Sequence, residues 1–149
     1  MHTSGTAFPP VTWPAHRQGL VQERNPEHTT ILLVEDDSAL RESIGAHLRR
    51  IGHAVVSAGT GAEALELAAL SGPDVTLVLI DVRLPDMDGF DLWQRLNRQV
   101  LGIRGLFMSG HDPEDLPPIP LDRKEVRFLH KPFGVPQLTD LIQDLLANR

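Results

Sequence analysis

Short apolar runs alternate with amphipathic stretches from residue 29 to the end of the chain. The runs are rich in leucine and β-branched residues, and the stretches between them repeat apolar side chains at helical spacing. This alternation is typical of an α/β protein in which helices connect the strands of a doubly wound parallel sheet. The five predicted strands are residues 31–34, 54–57, 75–80, 106–108 and 126–129.

The stretches that follow the strands predict helices. Residues 40–51 carry apolar side chains at helical spacing and stop at Gly52, a residue type that commonly ends helices. Thr60 and Glu63 have the spacing of a capping box at the start of the next helix. The other predicted helices are one around residues 90–98 and a closing helix that begins at Pro136.

Proline marks two segments of the chain as irregular. Residues 1–28 contain four prolines among small and polar residues without apolar periodicity, which predicts a disordered leader before a single folded domain at 29–149. Residues 113–125 contain four more prolines. Because each interior proline costs a helix about 3 kcal/mol, we expect the fourth helix of the fold to be short or broken there.

Composition excludes several classes of function. The 149 residues include no cysteine, which rules out disulfides, thiolate metal sites and cysteine nucleophiles. The net charge of -6 disfavours nucleic acid and anionic membranes as partners. No apolar stretch approaches the roughly 18 residues of a membrane span, and the first 28 residues lack the apolar core of a secretory signal. A cytoplasmic location is therefore expected.

Polar side chains follow the predicted strands where a parallel sheet binds its ligands, at the carboxyl ends of the strands. Carboxylates gathered at one edge repel one another unless a cation neutralises them or some stay protonated, and a divalent cation is the simpler solution. An all-oxygen site suits Mg²⁺, and an aspartate beside that ion can attack a phosphoryl group. The polar residues are Glu35, Asp36 and Asp37 after the first strand, Asp81 after the third, Ser109 after the fourth and Lys131 after the fifth.

Four segments together resemble the receiver domain of two-component response regulators, over about residues 29–147. The resemblance implies a flavodoxin-like fold, a doubly wound five-stranded parallel sheet with strand order 2-1-3-4-5. It also implies that Lys131 is followed by a peptide bond that is often cis in the family. The segments are Ile31–Asp37, Leu79–Gly89, Met108–Gly110 and Phe128–Phe133.

The same resemblance implies roles for individual residues. Asp81 is the expected phosphoacceptor, with Mg²⁺ bound by Asp36, Asp81 and the backbone carbonyl of Arg83. Glu35, which stands where many relatives have aspartate, would act through water. The remaining expected roles are Ser109 holding the phosphoryl group, Lys131 pairing with it, and Ser109 with Phe128 forming the switch, Phe128 having no hydroxyl.

The resemblance implies partners as well as chemistry. The phosphoryl group is expected from a phosphohistidine on a sensor histidine kinase or a histidine phosphotransfer protein. Because the chain stops soon after its last predicted helix, we expect the signal to pass by contact with a downstream protein. Two arrangements fit: a single-domain regulator, which Met1 favours, or the receiver of a hybrid sensor kinase, which the loose leader favours.

Three other functions are weighed against a receiver. A phosphatase with an aspartate nucleophile places its acids two residues apart after the first strand, whereas Glu35, Asp36 and Asp37 are contiguous. A pseudo-receiver that only binds partners would not need the intact set of Asp36, Asp81, Ser109 and Lys131. A flavodoxin relative would need a hydroxyl- and glycine-rich loop after the first strand, where acids would repel a flavin phosphate.

Several polar or aromatic residues near these motifs have simpler structural interpretations. Asp37 is expected to cap the first helix, and Asp86 and Asp88 are expected to shape the loop after Asp81 and cap the next helix. His130 is interpreted as a surface or packing residue, and Trp93 as a packing residue.

Overall fold

Five parallel strands form one sheet in the order β2-β1-β3-β4-β5, which confirms the predicted fold class and strand order. The computed structural model describes residues 29–71, 74–110 and 125–147. The predicted disordered leader at 1–28 and the predicted short or broken helix lie outside the described residues, the latter apart from residue 125. The strands are β1 (Thr30–Val34), β2 (Ala54–Ala58), β3 (Val75–Asp81), β4 (Arg104–Ser109) and β5 (Val126–His130).

Four helices are present among the described residues, and each occurs where apolar spacing predicts it. Gly52 follows α1 with φ of 106°, a left-handed conformation that glycine adopts without steric cost. The capping box of α2 is present in part, since the Glu63 N–H donates to Thr60 Oγ1 over 3.1 Å. The helices are α1 (Ser38–Arg50), α2 (Gly61–Ser71), α3 (Gly89–Gln99) and α4 (Val135–Ala147).

The sheet is covered on both faces because alternate residues of each strand point to opposite sides. In β1, Ile31 and Leu33 belong to a buried cluster that includes side chains of α1 and α4. Leu32 and Val34 belong to a second buried cluster, with side chains of α2 and α3. The continuous apolar runs of the sequence are therefore strands buried on both faces.

The register of the sheet brings the carboxyl ends of four strands together. Val34, the last residue of β1, is opposite Ile80 of β3, so Glu35 and Asp81 follow at the same level. Ser109 ends β4 opposite His130 of β5, and Lys131 comes next.

The helices were also compared with the length and hydropathy that a bilayer span requires. None of those in the described ranges 29–71, 74–110 and 125–147 meets both requirements.

Candidate functional site

Three carboxylates converge at the carboxyl edge of the sheet. Glu35, Asp36 and Asp81 each offer a ligand atom, and these atoms lie within 4.8 Å of one another. The Glu35 side chain is buried at 1% exposure and Asp81 is 8% exposed, whereas Asp36 lies at the surface. The structure thus brings together three acids that strands β1 and β3 deliver from positions more than 40 residues apart.

Lys131 provides a positive charge for the two buried acids. Its Nζ atom lies 2.8 Å from Oε1 of Glu35 and 3.2 Å from Oδ2 of Asp81. The Lys131 backbone N–H donates to the carbonyl of Ser109 over 2.7 Å, which extends the pairing of β5 with β4 by one residue. The Lys131–Pro132 peptide bond is cis, a geometry that the sequence left open.

Burial and charge shift the pKa values of this pair. Burial raises the pKa of Glu35 from 4.5 to about 7, although its hydrogen bond to Lys131 acts in the opposite direction. Burial also acts to lower the pKa of Lys131, but its hydrogen bond to Glu35 and the charges of Asp81 and Glu35 outweigh it, so the net shift is upward. Lys131 is therefore held charged beside the Glu35 carboxylate, whose charged form burial disfavours.

The loop after β3 folds back closely on Asp81. The Arg83 backbone N–H donates to Oδ1 of Asp81 over 3.1 Å, and the Gly89 N–H donates to the carbonyl of Val82 over 2.7 Å. A Cβ atom on Gly89 would lie 2.5 Å from the carbonyl oxygen of Asp81, closer than side chains approach a backbone. The absence of a side chain at Gly89 is therefore what allows α3 to start against the end of β3.

The two residues predicted to form a switch occupy adjacent strands. Ser109 is buried at the end of β4, with 5% exposure. Phe128 of β5 is 41% exposed, and its ring stacks on Phe107 with centroids 5.3 Å apart. Phe107 also contacts Trp93 edge-on at 6.2 Å, and Trp93 is buried, as its interpretation as a packing residue predicts. One face of Phe128 thus touches the core while the rest of the ring meets solvent.

The acids expected to serve as caps are confirmed in that role. Asp37 is the N-cap of α1, with Oδ1 accepting the Leu40 N–H over 3.1 Å. Asp88 is the N-cap of α3 and accepts the Phe90 N–H over 2.7 Å. Asp86 also caps a helix, but the helix is α2, which begins 25 residues earlier in the chain.

The contact of Arg41 with this site was not predicted. The Arg41 Nη1 atom donates to the backbone carbonyl of Glu35 over 2.7 Å, so α1 reaches back to the acid-bearing end of β1. The only sequence signal is a basic residue in the first turn of a helix that follows acids. His130, by contrast, is exposed on β5, as predicted.

The donor set fits Mg²⁺. All three candidate side-chain ligands are carboxylates, the donor type that this ion prefers in proteins. When all three are ionised, Lys131 neutralises one charge and two negative charges remain. A divalent cation would balance that remainder and would favour the charged form of Glu35, whose pKa burial raises.

Comparison with known proteins gives consistent matches. A family model described as the response regulator receiver domain matches residues 31–143. The sensor kinase CckA of Brucella abortus (strain 2308) is 36% identical over 121 residues, which cover 80% of this chain and 13% of CckA. The transcriptional activator protein PfeR of Pseudomonas aeruginosa is 38% identical over 119 residues, covering 80% of this chain and 38% of PfeR.

The fold comparison agrees with the sequence comparison. The crystal structure of the receiver domain from the hybrid histidine kinase CckA superposes with a TM-score of 0.67 and 30% sequence identity. The match covers 78% of this chain and 98% of that domain. The chain therefore spans the length of a receiver domain, and less than two thirds of the length of CckA and of PfeR.

Proposed function

The chain belongs to the response regulator receiver domain family, and from that premise we propose that it stores a signal as a phosphoryl group on Asp81. The observation that carries this proposal is the convergence of Glu35, Asp36 and Asp81 within 4.8 Å, with the Lys131 ammonium 3.2 Å from Asp81. The group would come from a phosphohistidine on a sensor histidine kinase or a histidine phosphotransfer protein.

Asp36, Asp81 and the backbone carbonyl of Arg83 would hold Mg²⁺, with Glu35 acting through a water molecule. When bound, this ion offsets the negative charge of the carboxylates and of the incoming phosphoryl oxygens. Arg83 also contributes its N–H, which holds Oδ1 of Asp81 over 3.1 Å and so limits rotation of the carboxylate. The chain itself thus orients the nucleophile.

In the transfer step, an Asp81 carboxylate oxygen forms a bond to phosphorus and the P–N bond of the phosphohistidine breaks. The electron pair of that bond goes to the imidazole nitrogen, and one proton from the surrounding water gives the neutral imidazole of the donor histidine. Lys131 lies where its ammonium can pair with the new phosphoryl oxygens, and the Ser109 hydroxyl, at the end of the adjacent strand, can donate a hydrogen bond to them.

The output of this reaction would be a changed protein surface. We infer that Ser109 approaches the phosphoryl group and that Phe128, which already stacks on Phe107, turns further inward. The chain would thereby alter its contacts with a downstream protein, and it would catalyse only its own phosphorylation and dephosphorylation. A cytoplasmic location without direct membrane or nucleic-acid contact by this domain completes the proposal.

The alternatives receive less support from the described residues. A pseudo-receiver would not need a lysine that pairs with two buried acids. Lys131 pairs with both Glu35 and Asp81. A phosphatase with paired acids after one strand does not match a site whose central acid, Asp81, stands on β3 beside Glu35 and Asp36 from β1.

The test is phosphorylation by acetyl phosphate in the presence of Mg²⁺, followed by intact-protein mass spectrometry. The wild type should gain one phosphoryl group, and Asp81→Asn should gain none. Asp91→Asn, which removes an exposed acid from the first turn of α3, serves as the matched control and should be labelled like the wild type. Equal labelling of wild type and Asp81→Asn would place the acceptor elsewhere, and an unlabelled wild type would favour the pseudo-receiver.

A further inference from the structure

The loop that follows the phosphoacceptor is anchored to a helix that carries none of the proposed ligands. Oδ1 of Asp86 accepts the backbone N–H of Gly61 over 2.8 Å, and Oδ2 accepts that of Ala62 over 2.9 Å. Gly61 and Ala62 are the first two residues of α2. One carboxylate therefore bridges the loop at 82–88 and the start of α2.

The first-turn donors of α2 show what this carboxylate contributes. The first N–H groups of a helix have no partner within it. Thr60 supplies two local acceptors, its hydroxyl for Glu63 and its carbonyl for Ala64, whereas Gly61 and Ala62 depend on Asp86. The helix thus has a local cap from its own sequence, and Asp86 adds a connection between two distant segments.

Packing supports the same connection. A Cβ atom on Gly61 would lie 2.5 Å from Cγ and Sδ of Met87, the residue after Asp86. Met87 is partly buried against the cluster that includes α2 and α3. The loop and the start of α2 are therefore in direct contact at two consecutive loop residues, one polar and one apolar.

The turn before α2 also contacts the other acid-bearing segment. The Glu35 N–H donates to the carbonyl of Ala58 over 3.0 Å, and Arg41, which donates to the carbonyl of Glu35, lies against Gly59. Gly59 in turn donates its N–H to Oε1 of Glu63 over 2.7 Å. Residues 58–62 thus touch both the segment that carries Glu35 and Asp36 and the loop that follows Asp81.

We propose that Asp86 is a positioning residue that holds the Asp81 loop at the distance from Glu35 and Asp36 that cation binding requires. This inference rests on the proposed function, because it concerns the same site. Asp86 would act through the backbone of residues 82–85 and would touch neither the ion nor the phosphoryl group. Its hydrogen bonds to α2 lower its pKa, so it is ionised at neutral pH and can accept both bonds.

The experiment compares Asp86→Ala with Thr60→Ala. Both variants remove capping acceptors from α2, but only Asp86→Ala releases the loop. We expect Asp86→Ala to weaken Mg²⁺ binding about 10-fold in a calorimetric titration, the lower end of what loss of a supporting contact costs a metal site. Thr60→Ala should stay within about twofold of the wild type. An unchanged affinity in Asp86→Ala, or equal losses in both variants, would overturn the proposal.

Two further measurements test whether the effect of Asp86→Ala comes from the lost charge of Asp86 and whether it is present without metal. The titration is repeated at about 0.5 M KCl, where screening leaves a Debye length of about 4 Å, and a loss that disappears there would reflect the charge of Asp86 and overturn the proposal. Without metal, amide hydrogen exchange of Arg83 should accelerate at least about fivefold in Asp86→Ala and not in Thr60→Ala. If the exchange of Arg83 is unchanged in Asp86→Ala, the positioning role is overturned, even when the wild type is phosphorylated normally. If the exchange accelerates, the positioning role is supported, even when the wild type is not phosphorylated.

Discussion

The ammonium of Lys131 lies 2.8 Å from a carboxylate oxygen of Glu35 that is almost completely removed from solvent. The same ammonium contacts Asp81 at 3.2 Å, so one lysine serves two acids. If Lys131 pairs with phosphoryl oxygens on Asp81, it neutralises less of the negative charge on Glu35. The stability of the site and the proposed phosphorylation of Asp81 would therefore be linked through this lysine.

Replacement of Lys131 by alanine should leave two buried carboxylates without their cation. Because an unpaired buried charge is costly, we expect Lys131→Ala to lower the free energy of unfolding at pH 8 by about 1–3 kcal/mol. Urea unfolding measures this change. The variant should still bind Mg²⁺, and Asp36→Ala is the comparison, since a loss of Mg²⁺ affinity as large as in Asp36→Ala would contradict the assigned role of Lys131.

The free energy of unfolding of the metal-free protein should depend on pH because Glu35 titrates. Its pKa is about 7 in the folded chain and 4.5 as the ordinary value, so the folded state holds the proton more tightly. The free energy of unfolding should therefore fall as pH rises from about 4.5 through about 7, by on the order of 1–3 kcal/mol. Urea unfolding at several pH values measures the slope.

Two controls identify the group responsible for that slope. Glu35→Gln should flatten it, because the amide does not titrate. Above pH 7, where the site is most negative, saturating Mg²⁺ should raise the free energy of unfolding of the wild type. Chelation with EDTA should remove that gain. A slope of the same size in Glu35→Gln would show that another group is titrating.

Asp36 and Asp37 are adjacent but should respond differently to alanine. Asp37→Ala removes the N-cap of α1 and should cost about 1 kcal/mol of stability, with Mg²⁺ affinity within about threefold of the wild type. Asp36→Ala removes a proposed ligand at the surface and should weaken Mg²⁺ binding at least about 10-fold without loss of stability. Thermal unfolding and metal titration of both variants decide the assignment, and reversed effects would exchange the two roles.

Much of the site is predictable because a parallel sheet leaves few choices. Continuous apolar runs mark strands buried on both faces, and the residue after each run must then appear at the carboxyl edge. That reasoning alone places Glu35, Asp81 and Lys131 at one edge, where the structure has them. The caps at Asp37 and Asp88 were equally predictable, since a cap bonds an N–H only two or three residues away.

Contacts between elements that are distant in the sequence were not predictable in the same way. Asp86 bonds N–H groups 24 and 25 residues away, and the Arg41 contact with Glu35 depends on how α1 lies against β1. The stacking of Phe128 on Phe107 likewise follows from the register of β5 against β4. Such contacts depend on the packing of separate elements, which local spacing does not encode.

The sequence by itself determined which elements form and which polar residues end the strands, because side-chain periodicity and helix capping act over a few residues. The tertiary structure decided that Glu35 is buried, that its pKa lies near 7 and that Lys131 is shared between two acids. It also decided that Asp86 joins the loop after Asp81 to α2. Burial, shared charges and long-range caps depend on distances across the sheet, and those distances exist only once the helices have packed on it.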